Sequence, residues 1–194
     1  RFSAGARRFA VGMVRKVLIA DAVAPVVSAV FAAETPGFAA SWIGVIAYTV
    51  QIYFDFSAYS DMAIGLGAMM GFTFPENFRQ PYHSRSITEF WRRWHITLSS
   101  WLRDYLYIPL GGSRGGSRRT IVNLMTVMVL GGLWHGAAWT FVFWGAWHGT
   151  WLVFERVLRG SGHHWSEGLF APRLYTLLVV MVGWVFFRAD SFTQ

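Results

Sequence analysis

The sequence predicts an all-α integral membrane protein, a bundle of several helices in which some are broken and some lie in the interface. Three observations predict it. Charged residues make up only 14% of the 194 residues, where an ordinary soluble domain carries about 25%. Apolar runs of membrane length recur, and the longest has no Asp, Glu, Lys or Arg from Thr120 to Phe154; about 20 helical residues cross the roughly 30 Å hydrocarbon layer. The cations collect between those runs, at Arg7-Arg8, Arg15-Lys16, Arg92-Arg93 and Arg114 to Arg119, as expected for loops held at a cytoplasmic face. The 11 Trp and 7 Tyr suit the interfacial belts where an amphipathic ring is stable. The net charge of +7 therefore reads as topology and contact with membrane lipid, and nucleic acid is not expected as a partner.

The first apolar stretch, Phe9 to Ala33, is interrupted by Arg15, Lys16, Asp21 and Pro25, which predicts a broken or interfacial helix. Trp42 to Phe74 is long enough to cross, yet carries Asp55, Ser57, Tyr59, Ser60 and Asp61 in its middle. Those groups must face protein or water, and polar contacts between packed helices are their simplest use. Asp55 and Tyr59 share a face, whereas Asp61 lies about 240° around the helix from Asp55. Pro75 to Ser84 is turn-rich. Ser86-Ile-Thr-Glu89 then forms a capping box that starts a helix, and Trp91, Trp94, His95, Leu98, Trp101, Leu102 and Tyr105 place an aromatic stripe along it. Arg92, Thr97 and Arg103 take the other face. Gly111 to Arg119 reads as a flexible cationic loop. Thr120 to Phe154 would be about 50 Å long as one helix, so a break is expected near Gly131-Gly132 or Gly136. Leu174 to Phe187, between Arg173 and Arg188, is a thin or tilted span.

With no cysteine in the chain, disulfides, thiolate catalysis and cysteine-held metals are excluded. No His-x-x-x-His or Glu-x-x-His pair occurs, so no metal site is expected. Serine-hydrolase elbows and phosphate-cradling loops are missing too. The chain opens at Arg1 without a leader and closes on Ala-Asp-Ser-Phe-Thr-Gln; the expectation is an internal piece, with residues 1–194 forming one domain truncated at both ends.

His135 is the first candidate for chemistry, because an ionisable ring inside an apolar run is costly and commonly marks a pathway or a reaction site. Its alternative is an imidazole satisfied by a nearby carbonyl or hydroxyl. Gly-x-Trp-His-Gly occurs twice, at 132 to 136 and 145 to 149; on one continuous helix His135 and His148 would be about 220° and 19 Å apart. His148 and His95 read as packed core histidines, and His83, His163 and His164 as surface residues. A bis-histidine haem bundle would need partners elsewhere.

Four segments occur together in order: Tyr53-Phe-Asp-Phe-Ser-Ala-Tyr-Ser-Asp-Met-Ala-Ile-Gly65, Glu76-Asn-Phe-Arg-Gln-Pro-Tyr82, Ser86-Ile-Thr-Glu-Phe-Trp-Arg-Arg-Trp-His95 and Gly131-Gly-Leu-Trp-His-Gly136. Together they resemble the membrane-bound O-acyltransferase family, nearest its bacterial branch that O-acetylates exported polysaccharides such as alginate. The resemblance implies a funnel-like helical bundle of that family in the bacterial cytoplasmic (inner) membrane, crossing it several times. It also implies that the family's essential histidine is His135 and its second polar active-site residue His95. Ala58 stands where close relatives are expected to carry Gly.

Transfer of an acyl group, most simply acetyl, to a hydroxyl needs a base, and a histidine titrating near neutrality suits it. His135 is the candidate, with His95 orienting the acceptor or polarising the carbonyl. The expected donor is acetyl-CoA or a derived acyl group, whose phosphates Arg103, Arg114, Arg118 and Arg119 could attract; these arginines equally suit topology and headgroup contact. The acceptor is a polysaccharide or a periplasmic SGNH-type acetyltransferase partner. The alternative is a non-catalytic translocation or scaffold subunit of a polysaccharide-modification complex.

Overall fold

Helices supply all the extended regular structure in the computed structural model, which describes residues 1–160 and 171–192; no strand occurs among the described residues. The chain divides into two units, Arg1–Phe78 and the chain from Arg79 onward, and each has its own packing logic.

In the first unit, α1 (Phe2–Arg15) passes through a π-helical turn (Lys16–Ala20) into α2 (Asp21–Phe31). The interruption expected between Phe9 and Ala33 is thus a widened turn rather than a break. Pro25 lies inside α2, where it removes one ladder donor, and the wide turn sits just upstream. The long helix α3 (Phe38–Met69) covers the predicted span as far as Met69 and ends five residues short of Phe74. It stops at Gly71, whose φ of +91° suits a residue without Cβ. The Gly71 N–H donates to Ala68 O at 3.2 Å and the Phe72 N–H to Gly67 O at 2.8 Å, the paired bonds that satisfy a helix's last carbonyls.

The polar middle of α3 is explained by α1. Asp61 accepts from Arg8 Nε at 3.0 Å, Arg8 Nη2 at 2.8 Å and Arg15 Nη1 at 2.9 Å. Asp55, on another face, accepts from Lys16 Nζ at 2.5 Å. Ser60 accepts from Asn77 Nδ2 at 3.2 Å. Tyr59 is 63% exposed. Ala58 is fully buried against Gly12, where a Cβ would stand 2.8 Å from the Ala58 carbonyl. At Ala58 the close approach of α1 to α3 is met from the α1 side, whereas nearer the start of α1 Gly5 and Gly65 supply a glycine from each helix.

The second unit contains a 3₁₀ turn (Pro81–His83), α4 (Ile87–Arg93), α5 (Ile96–Leu102), a π turn (Arg103–Tyr107), α6 (Gly116–His135), α7 (Trp139–Gly160) and α8 (Ala171–Arg188). The expected cap is present: Glu89 N–H donates to Ser86 Oγ at 3.0 Å, a contact of the kind that stabilises a helix by about 1 kcal/mol. The Glu89 carboxylate reaches Arg85 N–H at 2.8 Å instead of Ser86 N–H. A second carboxylate, from α7, reinforces the same terminus. Glu155 accepts from Ile87 N–H at 2.5 Å, Thr88 N–H at 3.1 Å and Thr88 Oγ1 at 2.8 Å, placing negative charge at the positive end of the helix.

Two expectations are corrected in this unit. The aromatic stripe does not run along one helix. Trp94 is extended and His95 takes φ +42°, ψ +55°, so the helix stops after Arg93 and restarts at Ile96. The physical reason is a tertiary bond: the Arg93 carbonyl, needed by a continuing helix, accepts from Arg79 N–H at 2.9 Å, while the Trp94 side chain is buried among Tyr82, Phe90 and Trp184. The glycine-rich cationic segment is not a free loop: residues 111–115 form turns and residues 116–119 are the first turn of α6. Asn123 Nδ2, itself buried, donates to Leu110 O at 3.2 Å and Gly112 O at 3.0 Å. The break expected in the Thr120 to Phe154 run is present at Gly136, the second of the two places expected, while Gly131 and Gly132 remain helical.

That break turns α7 back along α6. A Cβ at Gly145 would meet the Met128 carbonyl, so the hairpin closes on bare backbone. α8 supplies the remaining wall, and among the described residues it is the one helix long and apolar enough to cross a membrane. Phe90, Trp94, Trp144, Val180 and Trp184 form the buried centre. His83 is exposed, and His163 and His164 lie outside the described residues.

Candidate active site

His135 ends α6, directly before the Gly136 turn. Its ring is half-buried and has aromatic neighbours on several sides: Trp134 at 4.9 Å, Phe187 at 5.0 Å and Trp144 at 5.3 Å between ring centroids. The edge-to-face arrangement of all three, with interplanar angles of 76° to 87°, is the one aromatic quadrupoles favour. The ring is thereby held at a fixed tilt.

His95 reaches the same region from the break between α4 and α5. Its ring centroid lies 6.3 Å from that of Trp134, so one indole neighbours both histidines. A left-handed backbone at a non-glycine residue is uncommon and costs free energy, and such positions cluster at functional sites. The break turns the chain at the residue that meets Trp134.

Both histidines line one cavity of about 560 Å³, within the size range of small-molecule pockets. Its walls come from α4, α5, α6 and α7. They are mainly apolar, with Trp91, Trp144, Val127 and Met128 among them, and a few polar groups converge: Arg92, Arg103, Ser99, Ser100 and Tyr107. An apolar chamber with few polar groups and two half-buried imidazoles is suited to proton transfer at a bound, largely uncharged group.

Of the four arginines expected near a donor, Arg103 lines the cavity. Its guanidinium donates to Asp104 at 2.7 and 3.1 Å, and this bond holds the exposed Asp104 carboxyl below its ordinary range. Arg114, Arg118 and Arg119 do not contribute to that lining; Arg119 Nη2 donates to Leu110 O at 3.2 Å. Arg92, Ser99, Ser100 and Tyr107 were not anticipated. The stripe put Arg92 on the opposite face of a continuous helix, and only the kink at Trp94-His95 brings both to one cavity.

His148, expected to be structural, is fully buried on α7. It is not on the cavity wall, but Trp91 and Trp144, which are, flank it.

The sequence profile of the membrane-bound O-acyltransferase family matches residues 1–164. The chain is 57% identical to the probable alginate O-acetylase of Azotobacter vinelandii, over 98% of this chain and 38% of that protein. It is 56% identical to the probable alginate O-acetylase of Pseudomonas aeruginosa, over 98% of this chain and 36% of that protein. A more distant similarity, 43%, is to the peptidoglycan O-acetyltransferase of Helicobacter pylori, over 94% of this chain and 35% of that protein. The chain thus spans less than two fifths of the length of these relatives.

Proposed function

Because the chain belongs to the membrane-bound O-acyltransferase family and is that of a bacterial membrane protein, we propose that it carries the reaction centre of an enzyme moving an acetyl group onto a hydroxyl during O-acetylation of an exported polysaccharide such as alginate. The proposed setting is the bacterial inner membrane, crossed several times by the whole protein. What supports the reading is that His135 and His95 line one mainly apolar cavity.

In this reading an imidazole nitrogen of His135 takes the proton of the acceptor hydroxyl as its oxygen attacks the thioester carbonyl. His95, through a ring N–H, stabilises the charge that develops on the carbonyl oxygen. The tetrahedral intermediate then collapses, the carbon–sulfur bond breaks, and the proton held by His135 passes to the departing thiolate. The apolar walls exclude water, which would otherwise compete as the acceptor. The donor is acetyl-CoA or an acyl group derived from it. Arg103 and Arg92, on the cavity wall, are better placed to meet its phosphates than Arg114, Arg118 and Arg119. The acceptor hydroxyl belongs to the polysaccharide, or to a periplasmic SGNH-type acetyltransferase that passes the group on.

Purified full-length protein, given donor labelled in its acetyl group, should transfer label to acceptor, and His135→Ala should slow transfer by on the order of 10²–10⁴ while remaining in the membrane. Undiminished transfer by His135→Ala would refute the assignment of the base. If the unaltered protein supports polysaccharide acetylation in cells but never moves label itself, a non-catalytic translocation role takes its place.

A further inference from the structure

The second copy of Gly-x-Trp-His-Gly is not absorbed by the reaction just described. His148 has 0% exposure, and neither Nδ1 nor Nε2 has a hydrogen-bond partner among the described residues. Burying an unsatisfied imidazole is costly, so an aliphatic residue would be the cheaper filler if filling were all that was required. The ring's surroundings show what else it does. It meets Trp91 at 5.1 Å and 86°, and Trp144 at 5.2 Å and 69°. Those two indoles meet each other at 5.6 Å and 80°. Trp144 in turn faces His135 at 5.3 Å and 87°.

We infer that His148 is a positioning residue for His135: edge-on to Trp91 and Trp144, it sets the indole wall of the cavity, and Trp144 transmits that setting to the His135 ring. The inference rests on the proposed role of His135. A close-packed interior transmits small displacements, and edge-to-face contacts resist rotation of each ring. α8 holds the device from behind. Gly183 backs the imidazole, and a Cβ there would stand 2.6 Å from His148 Nε2. A methyl at 183 must therefore displace the ring from its place between the indoles, and with the ring removed the same methyl has room.

The test uses the purified full-length protein with His148→Ala, Gly183→Ala, the double variant, and His135→Ala beside them. Two quantities are read: acetyl transfer, and the rate at which diethyl pyrocarbonate modifies His135, followed by peptide mass relative to exposed His83. His148→Ala and Gly183→Ala should each lower kcat tenfold or more with the donor KM within twofold. Each should change His135 reactivity at least threefold while His83 stays constant. The double variant should lie closer to the unaltered protein than His148→Ala does, since the added methyl occupies part of the vacated space. Unchanged kcat and His135 reactivity in both folded single variants would overturn the inference, and so would equal changes at His83 and His135, which mark general loosening. Should His148→Ala fail to fold, Gly183→Ala decides alone, since it keeps every polar atom. Activity retained by His135→Ala would instead sink the underlying reading of the base, while the reactivity measurement still judges His148.

Discussion

The two units handle polar groups in opposite ways. In Arg1–Phe78 the carboxylates of α3 meet cations of α1 and of the π turn that follows it, Asp61 with Arg8 and Arg15 and Asp55 with Lys16, and the result is that α1 and α3 are locked face to face. From Arg79 onward, His95, His135 and His148 sit among aromatic rings, and the one carboxylate buried there among the described residues, Glu155, caps a helix. The difference teaches that a polar residue in an apolar run acquires a meaning only with its partners. Ionised groups with charged partners build architecture. Groups that can stay neutral, placed on a cavity wall, are free to exchange protons.

The largest effect that could break this comparison is at His135. Its replacement by alanine should cost on the order of 10²–10⁴ in the acetyl-transfer rate, the usual contribution of a positioned base, with little change in the yield of folded protein. An equal loss from Asp61→Ala would erase the distinction between the units. Next comes Glu155. Alanine there strips Ile87 and Thr88 of their acceptor and should destabilise the protein by about 3 kcal/mol, as removing a buried charged acceptor does, read as a lower midpoint of unfolding in detergent. Because Glu155 holds the start of α4, and α4 leads to His95, transfer should fall as well.

Asp61→Ala should lower stability by about 1–3 kcal/mol, since it leaves Arg8 and Arg15 without that carboxylate, and leave the kcat of the surviving folded protein unchanged. Smaller still is Asp55→Asn. Its pair with Lys16 is about half exposed, and exposed pairs contribute less than about 1 kcal/mol. Within the second unit, Arg103→Ala should raise the donor KM more than Arg118→Ala and Arg119→Ala combined, because Arg103 alone of the three lines the cavity. The reverse order would move the donor's phosphates to the start of α6.

Where local chemistry decides, the sequence was readable. Ser86 and Glu89 mark the start of α4, Gly136 marks the α6–α7 break, and the apolar run between the arginines at 173 and 188 lies within α8. What escaped was decided by partners far along the chain. Nothing near His95 announces a left-handed residue; Arg79, by taking the Arg93 carbonyl, ends the helix. At the site, His135 stood out by its surroundings in the chain, while His95 emerged through the family motifs. Arg92 was missed because a straight helix sends it away from the stripe.

The most direct test of the account is a double-mutant cycle on acetyl transfer with His95→Ala, His135→Ala and both together in the full-length protein. If the two imidazoles serve one reaction centre, the double variant should be about as slow as His135→Ala alone, since groups acting as a unit are strongly non-additive. Rate losses that simply multiply would contradict a shared centre.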